Sequence, residues 1–139
     1  MLKTRNEIIH KHVSNKLKKM NIEILKSNIQ LENERVMLIP FENKRNQELK
    51  EIIFDNGIWK FMGMHMKTEQ DFNNYVANTI KDKNNGICYP FLIIDKKNNK
   101  VAGSTRFGYL NIVSQKCEIG WTWYGTNFQG TGLNKTCKY

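Results

Sequence analysis

Apolar and polar positions follow two different periods along this chain. Over residues 1–30, Ile9, Val13, Leu17, Met20 and Ile24 recur at steps of three and four with lysines between them. That spacing predicts an amphipathic helix, here a basic extension ahead of the rest. Its open fates are docking on the domain, pairing with a partner or touching nucleic acid, and packing is the commonest. From residue 31 onward the pattern tightens. "RVMLIPF" (35–41), closed by Pro40, reads as a first strand, and "NQELKEIIFD" (46–55) has helical spacing through Leu49, Ile52 and Ile53. Asn56-Gly57 is expected to stop that helix. "TEQDFNNYVANTIKDK" then places Phe72, Tyr75, Val76 and Ile80 on one stripe, and Thr68 with Asp71 forms a capping-box pattern at its start.

The second half is strand-like. "YPFLIID" (89–95), "KVAGSTRFGYL" (100–110) and "CEIGWTWYG" (117–125) follow one another, and Asn98-Asn99 can turn the first hairpin. The predicted order is a helical extension, then β-α-α-β-β-β and the start of a further helix. This is an α+β (mixed α/β) fold with a largely antiparallel second half. On strict alternation, Trp121 and Trp123 share a face with Cys117 and Ile119, and Glu118, Thr122 and Tyr124 take the other. The tryptophans then read as core or cleft wall.

Length changes the picture little: 139 residues make one domain with enough apolar surface to fold without staples. No apolar run approaches the ~20 residues that span a bilayer, and the N-terminus lacks the pattern of a secretory signal. The expected location is cytoplasmic, with no membrane contact. Cys88, Cys117 and Cys137 form no C-x-x-C pair, which disfavours a zinc site or disulfide framework, and no metal is expected. The formal charge of +9 suits a phosphate-rich ligand or a polyanion alike. Because the basic residues are scattered and the aromatics sit within apolar strands, a nucleic-acid partner is disfavoured.

The sharpest chemistry lies near the end, in "FQGTGLNKTCKY". A strand, a glycine loop and a helix start can turn free N–H groups and a helix dipole toward an anion. A bare G-x-G is also an ordinary tight turn. It is no Walker loop, for no Gly-Lys-Ser/Thr follows, and it lacks the third glycine of the dinucleotide fingerprint.

Gln129-Gly130-Thr131-Gly132-Leu133-Asn134 resembles the Q/R-x-x-G-x-G/A pyrophosphate loop of the GNAT superfamily of acetyl-CoA-dependent N-acetyltransferases. "CEIGWTWYG" resembles that family's fourth strand. "FLIIDKKNNKVAGSTRF" and "LENERVMLIPF" are similar to earlier strands of the branch related to ribosomal-protein N-terminal acetyltransferases. The resemblance covers residues 31–139. Asn134 departs from the usual Gly or Ala.

The resemblance implies acetyl transfer from acetyl-CoA to a primary amine by direct attack, the acceptor being a peptide N-terminus or a small molecule. It implies that the main chain from Ile119 through Trp121 to Trp123 pairs with pantetheine. It puts the pyrophosphate on the N–H groups of Gly130, Thr131, Gly132, Leu133 and Asn134, with Gln129 orienting the loop and Lys135 adding charge. Glu118 becomes the candidate general base; the plain alternative is a strand carboxylate paired with a lysine or with Arg106. Trp59, Phe61, Met62, Met64 and Met66 fall where the family shapes its acceptor pocket, though packing under a loop explains them equally well. His65 among them is a second base or a bystander. The general acid, often a tyrosine further on, has no heir at Tyr124 or Tyr139.

The family's fold continues beyond such a loop, whereas this sequence stops at Tyr139. The expectation is a partial GNAT domain over 31–139, truncated after the loop, with weak or no activity. An exposed edge on the tryptophan strand then invites self-association. The competing readings are a non-catalytic module binding anions or nucleic acid, and an inactive remnant.

Overall fold

Residues Cys88–Asp95 are buried without a break, and a strand covered on both faces reads as such a continuous apolar run. The computed structural model of the chain describes residues 15, 23, 26–42, 44–111 and 114–139. Most of the predicted N-terminal helix therefore lies outside the described residues. Five strands, β1 (Leu31–Glu32), β2 (Val36–Pro40), β3 (Cys88–Asp95), β4 (Lys100–Asn111) and β5 (Lys116–Tyr124), form one antiparallel sheet in sequence order. The helices are α1 (Asn56–Trp59), α2 (Glu69–Asn84) and α3 (Leu133–Lys138), with 3-10 turns at Lys44–Glu51 and Thr126–Phe128. The mixed α/β architecture is as expected.

Two cores share the sheet. On one face Ile39, Leu92, Ile94, Val101 and Trp123 pack with Phe72 of α2 and with Leu49, Ile53, Trp59 and Met66. On the other, Val36, Leu38, Phe91, Ile93, Ala102 and Tyr124 pack around Leu133 of α3. The two sets alternate along β3, as the two-residue side-chain period requires. Tyr89 joins the second face, and its hydroxyl ties down the entering chain by accepting from the Ile29 N–H at 2.9 Å and donating to the Ser27 carbonyl at 2.8 Å.

α2 forms as its sequence predicts. Thr68 Oγ1 accepts from the Asp71 N–H at 3.1 Å, and the Asp71 carboxylate accepts from the Thr68 N–H at 2.8 Å. Both orphan donors are thus satisfied, with Asp in the place that Glu or Gln usually takes.

The segment before it differs from expectation. Residues 44–51 wind as a 3-10 helix, and a separate short helix begins at Asn56. Arg45 grips Glu48 through two hydrogen bonds of 2.7 and 2.9 Å, using the i,i+3 spacing that a 3-10 turn brings into line. Asn56-Gly57 opens α1 because Asp55 is its N-cap, accepting from the Gly57 N–H at 2.8 Å. Thr126 donates to the same carboxylate at 2.7 Å, which fastens this turn to the segment after β5.

Candidate functional site

The site is built on β5, which pairs with β4 alone among the described residues. Tyr124 and Trp123 face Gly103 and Ser104, but the next partners are Gly120 and Arg106. β5 therefore carries one more residue than β4 across this step, a β-bulge. Trp121 absorbs it with a φ of 51°. The bulge overturns the alternation expected from the sequence. Ile119, opposite Phe107, lies on the α3 side with Thr122 and Tyr124, while Glu118, opposite Gly108, lies on the α2 side with Trp121 and Trp123.

Cavities border this strand on both faces, and two of them bear on the expected site. One of about 420 Å³ opens at its C-terminal end, lined by Thr122, Tyr124, Phe128, Gln129 and the loop through Asn134. Gly130 and Gly132 take φ values of 71° and 80°, a left-handed region that side chains with a Cβ enter only at a cost. Gln129 Nε2 donates to the Tyr124 carbonyl at 3.1 Å, and Thr131 Oγ1 donates to the Phe128 carbonyl at 2.7 Å. These side chains hold the loop without using its amides. The first main-chain N–H to find an acceptor inside the turn is that of Thr136, on the Gly132 carbonyl. Among the described residues no protein group accepts from the N–H groups of Gly130 to Lys135, and no side chain caps α3.

A six-residue helix is marginal by itself. Leu133 anchors it at 0% exposure, a burial worth about 1.5–3 kcal/mol. Tyr124 Oη donates to Asn134 Oδ1 at 3.1 Å, and Asn33 Nδ2 donates to the Thr136 carbonyl at 2.9 Å. Asn134 thus locks the loop to β5 through its side chain. Burial, reinforced by Cys137, pushes the Tyr124 phenol far up, so it stays a neutral hydrogen-bond donor. Burial also lowers the Lys138 ammonium, with Cys137 opposing the shift; Lys138 Nζ donates to Thr122 Oγ1 at 2.8 Å. Lys135 is exposed.

The second cavity, about 330 Å³, lies between α2 and the sheet. Trp59, Met62, Met64, His65 and Met66 from the expected pocket region line it together with Tyr75, Arg106, Trp121 and Trp123, whereas Phe61 stands out at 88% exposure. Trp123 is buried, donates Nε1 to the Tyr75 hydroxyl at 3.0 Å, and packs on Trp59 with ring centroids 5.1 Å apart. Glu118 is exposed and is not the partner of Arg106, which pairs instead with Asp82 at 3.6 Å. The bulge sets Gly120, in place of Trp121, opposite Arg106, and Glu118 faces Gly108. Asp82 and Thr79, one helical turn apart on α2, belong to this cavity too, and nothing in their own sequence signals it. Among the described residues no cluster of His, Cys, Asp and Glu could hold a metal ion, and no helix is long and apolar enough to cross a membrane.

The bulged strand of this antiparallel sheet feeds an uncapped glycine loop whose amides could face an anion, and a separate cavity under α2 mixes aromatic walls with charged groups. Residues 35–138 match the acetyltransferase (GNAT) domain, and the chain belongs to that family. No curated protein matches it. Solved structures share the fold. A GCN5-related N-acetyltransferase from Brucella melitensis superposes with a TM-score of 0.66 at 18% identity, covering 81% of this chain and 52% of that one. An acetyltransferase from Salmonella typhimurium, described as modifying the N-terminal serine of ribosomal protein L7/L12, gives 0.61 at 18% identity, covering 76% and 60%. A ribosomal L7/L12 α-N-protein acetyltransferase in complex with coenzyme A gives 0.60 at 16% identity, covering 78% and 62%. The chain thus spans 52–62% of the length of these structures.

Proposed function

We propose that this protein binds acetyl-CoA and transfers its acetyl group to a primary amine. The observation that carries this reading is the row of unclaimed N–H donors from Gly130 to Asn134, held open at the end of β5. Charge-assisted hydrogen bonds from such amides are the strong ones, and family membership makes the pyrophosphate of acetyl-CoA their natural ligand. Gln129 fixes the loop, and Lys135 adds positive charge at its rim. The pantetheine runs beside β5 from Ile119 through Trp121 to Trp123, where the bulge interrupts regular pairing with β4.

The acceptor amine enters from the opposite side, through the cavity under α2. An alkylamine is mostly protonated at neutral pH and must lose a proton before attack. Glu118, on the α2 side of β5, is the general base in this reading. In this reading the protein works in the cytoplasm. While no cofactor lies there, the edge of β5 that no described residue pairs, with Ile119 at 50% and Trp121 at 42% exposure, offers a second copy a strand to pair with.

Calorimetric titration of the 139-residue chain with acetyl-CoA is the direct test. Binding that disappears when the loop is altered supports the reading, and no binding at about millimolar ligand refutes it. Release of coenzyme A with a panel of amines then reports transfer. Glu118→Gln is expected to depress the rate while leaving acetyl-CoA binding intact.

A further inference from the structure

The cavity between α2 and the sheet contains one group whose bonding is left incomplete. Arg106 has only 12% of its side chain exposed, yet among the described residues its contacts are long. They are 3.4 Å from Nη2 to Thr79 Oγ1, 3.9 Å from Nη1 to Cys88 Sγ, and 3.6 Å from Nη1 to the Asp82 carboxylate. A guanidinium has five N–H donors, and when paired with a carboxylate it normally makes contacts of ~2.7–2.9 Å. A nearly buried cation bonded this loosely is costly unless a ligand completes it. The guanidinium also lies over the Trp121 ring, 5.6 Å from its centroid, and stacking of this kind holds its plane. Gly108 makes the arrangement possible, for a Cβ there would sit 2.2 Å from the Trp121 ring.

The carboxylates around the cavity are placed differently. Asp71 already accepts from the N–H groups of Lys67 and Thr68. Asp82 is 40% exposed and so more open to water than Arg106. The unmet demand in the cavity is therefore for an anion, and Trp59, Tyr75 and Trp123 supply apolar walls beside it.

We propose that this cavity receives an amine that also carries a carboxylate, of the amino-acid or acidic-peptide class, and that the Arg106 fork binds that carboxylate. This rests on the acetyltransferase reading and specifies its acceptor. With the carboxylate on Arg106, opposite Gly120 of β5, the amine is presented toward the bulged strand. Arg106 is then a specificity-determining residue, and simple polyamines are poor acceptors.

The probe is N-acetylglutamate, whose amine is blocked, with putrescine as the cationic counterpart. Quenching of tryptophan fluorescence reports binding, since Trp59, Trp121 and Trp123 all line the cavity. N-acetylglutamate is expected to quench and putrescine not to. Arg106→Gln should weaken N-acetylglutamate about tenfold or more, and Arg106→Lys, which keeps the charge and loses the fork, should fall between. Circular dichroism confirms that each variant is folded; should Arg106→Gln fail to fold, Arg106→Lys and the putrescine comparison decide. Equal binding of putrescine, or N-acetylglutamate binding that neither variant weakens, overturns the proposal. If N-acetylglutamate binds through Arg106 but acetyl-CoA does not bind the protein, the carboxylate site stands and only the acetyl-transfer reading falls.

Discussion

Replacing Gly132 by alanine separates backbone strain from steric collision at the loop. Gly132 has φ 80° and ψ −2°, and a Cβ added there meets no atom within 4 Å. The penalty is therefore conformational, about 1–2 kcal/mol for an L-residue in the left-handed region. Two responses are open to the chain. If the loop keeps its shape, the strain lowers stability and the melting midpoint falls by several degrees, at about 2–8 °C per kcal/mol for domains near this size. If instead residue 132 relaxes to a right-handed conformation, the Leu133 and Asn134 amides swing away from the pyrophosphate that the proposed function gives them. Losing one hydrogen bond to a charged phosphate costs about 1.5–3 kcal/mol, or roughly 10- to 100-fold in affinity for acetyl-CoA. Asparagine tolerates the left-handed region, so Gly132→Asn should recover much of whichever loss alanine causes. Thermal melts by circular dichroism and calorimetry with acetyl-CoA read the two responses separately. An alanine variant that melts and binds like the original refutes the reasoning. So does an asparagine variant as impaired as the alanine one.

Other consequences follow from groups the fold has committed. Tyr75→Phe leaves the buried Trp123 Nε1 without its acceptor, and urea denaturation should show a loss of about 1–3 kcal/mol. The N–H groups of Lys67 and Thr68 hold the Asp71 carboxyl below its ordinary range. Its stabilising effect is therefore fully present above the unfolded value and is lost as pH falls through the depressed folded one. Stability measured from neutral pH into acid should drop less steeply in Asp71→Asn, which starts out weaker. Burial raises the Cys88 thiol and Cys117 is exposed, so iodoacetamide followed by mass spectrometry should label Cys117 first and Cys88 last. Equal labelling of the two in the folded protein would contradict the burial described.

What could be read from the chain by itself was whatever depends on near neighbours. α2 and its Thr68–Asp71 box were legible because both partners lie within one helical turn. β3 was legible because a run such as Phe91–Ile94 has no soluble alternative to burial. The Gly130 and Gly132 pair declared itself because glycine is the residue that enters the left-handed region freely. The turn at Asp55 was misread for a local reason: Asn-Gly ends helices often, and the competing cap stood one position earlier, reinforced by Thr126 from far along the chain.

Tertiary structure decided everything that depends on what lies opposite. A bulge is a mismatch between two strands, so the count along β5 could not reveal that Glu118 turns to the tryptophan side and Ile119 away. Arg106 was a plausible mate for Glu118 in sequence; the register gives it Asp82, Thr79 and Cys88 instead, from α2 and β3. The seat of α3 was equally invisible, since Tyr124 and Asn33 reach it from two separate stretches while its own Leu133 is buried in the second core. Near neighbours are set by bond geometry and periodicity, which the order of residues encodes directly. Opposing partners are set by register and packing, which exist only once the strands and helices have met.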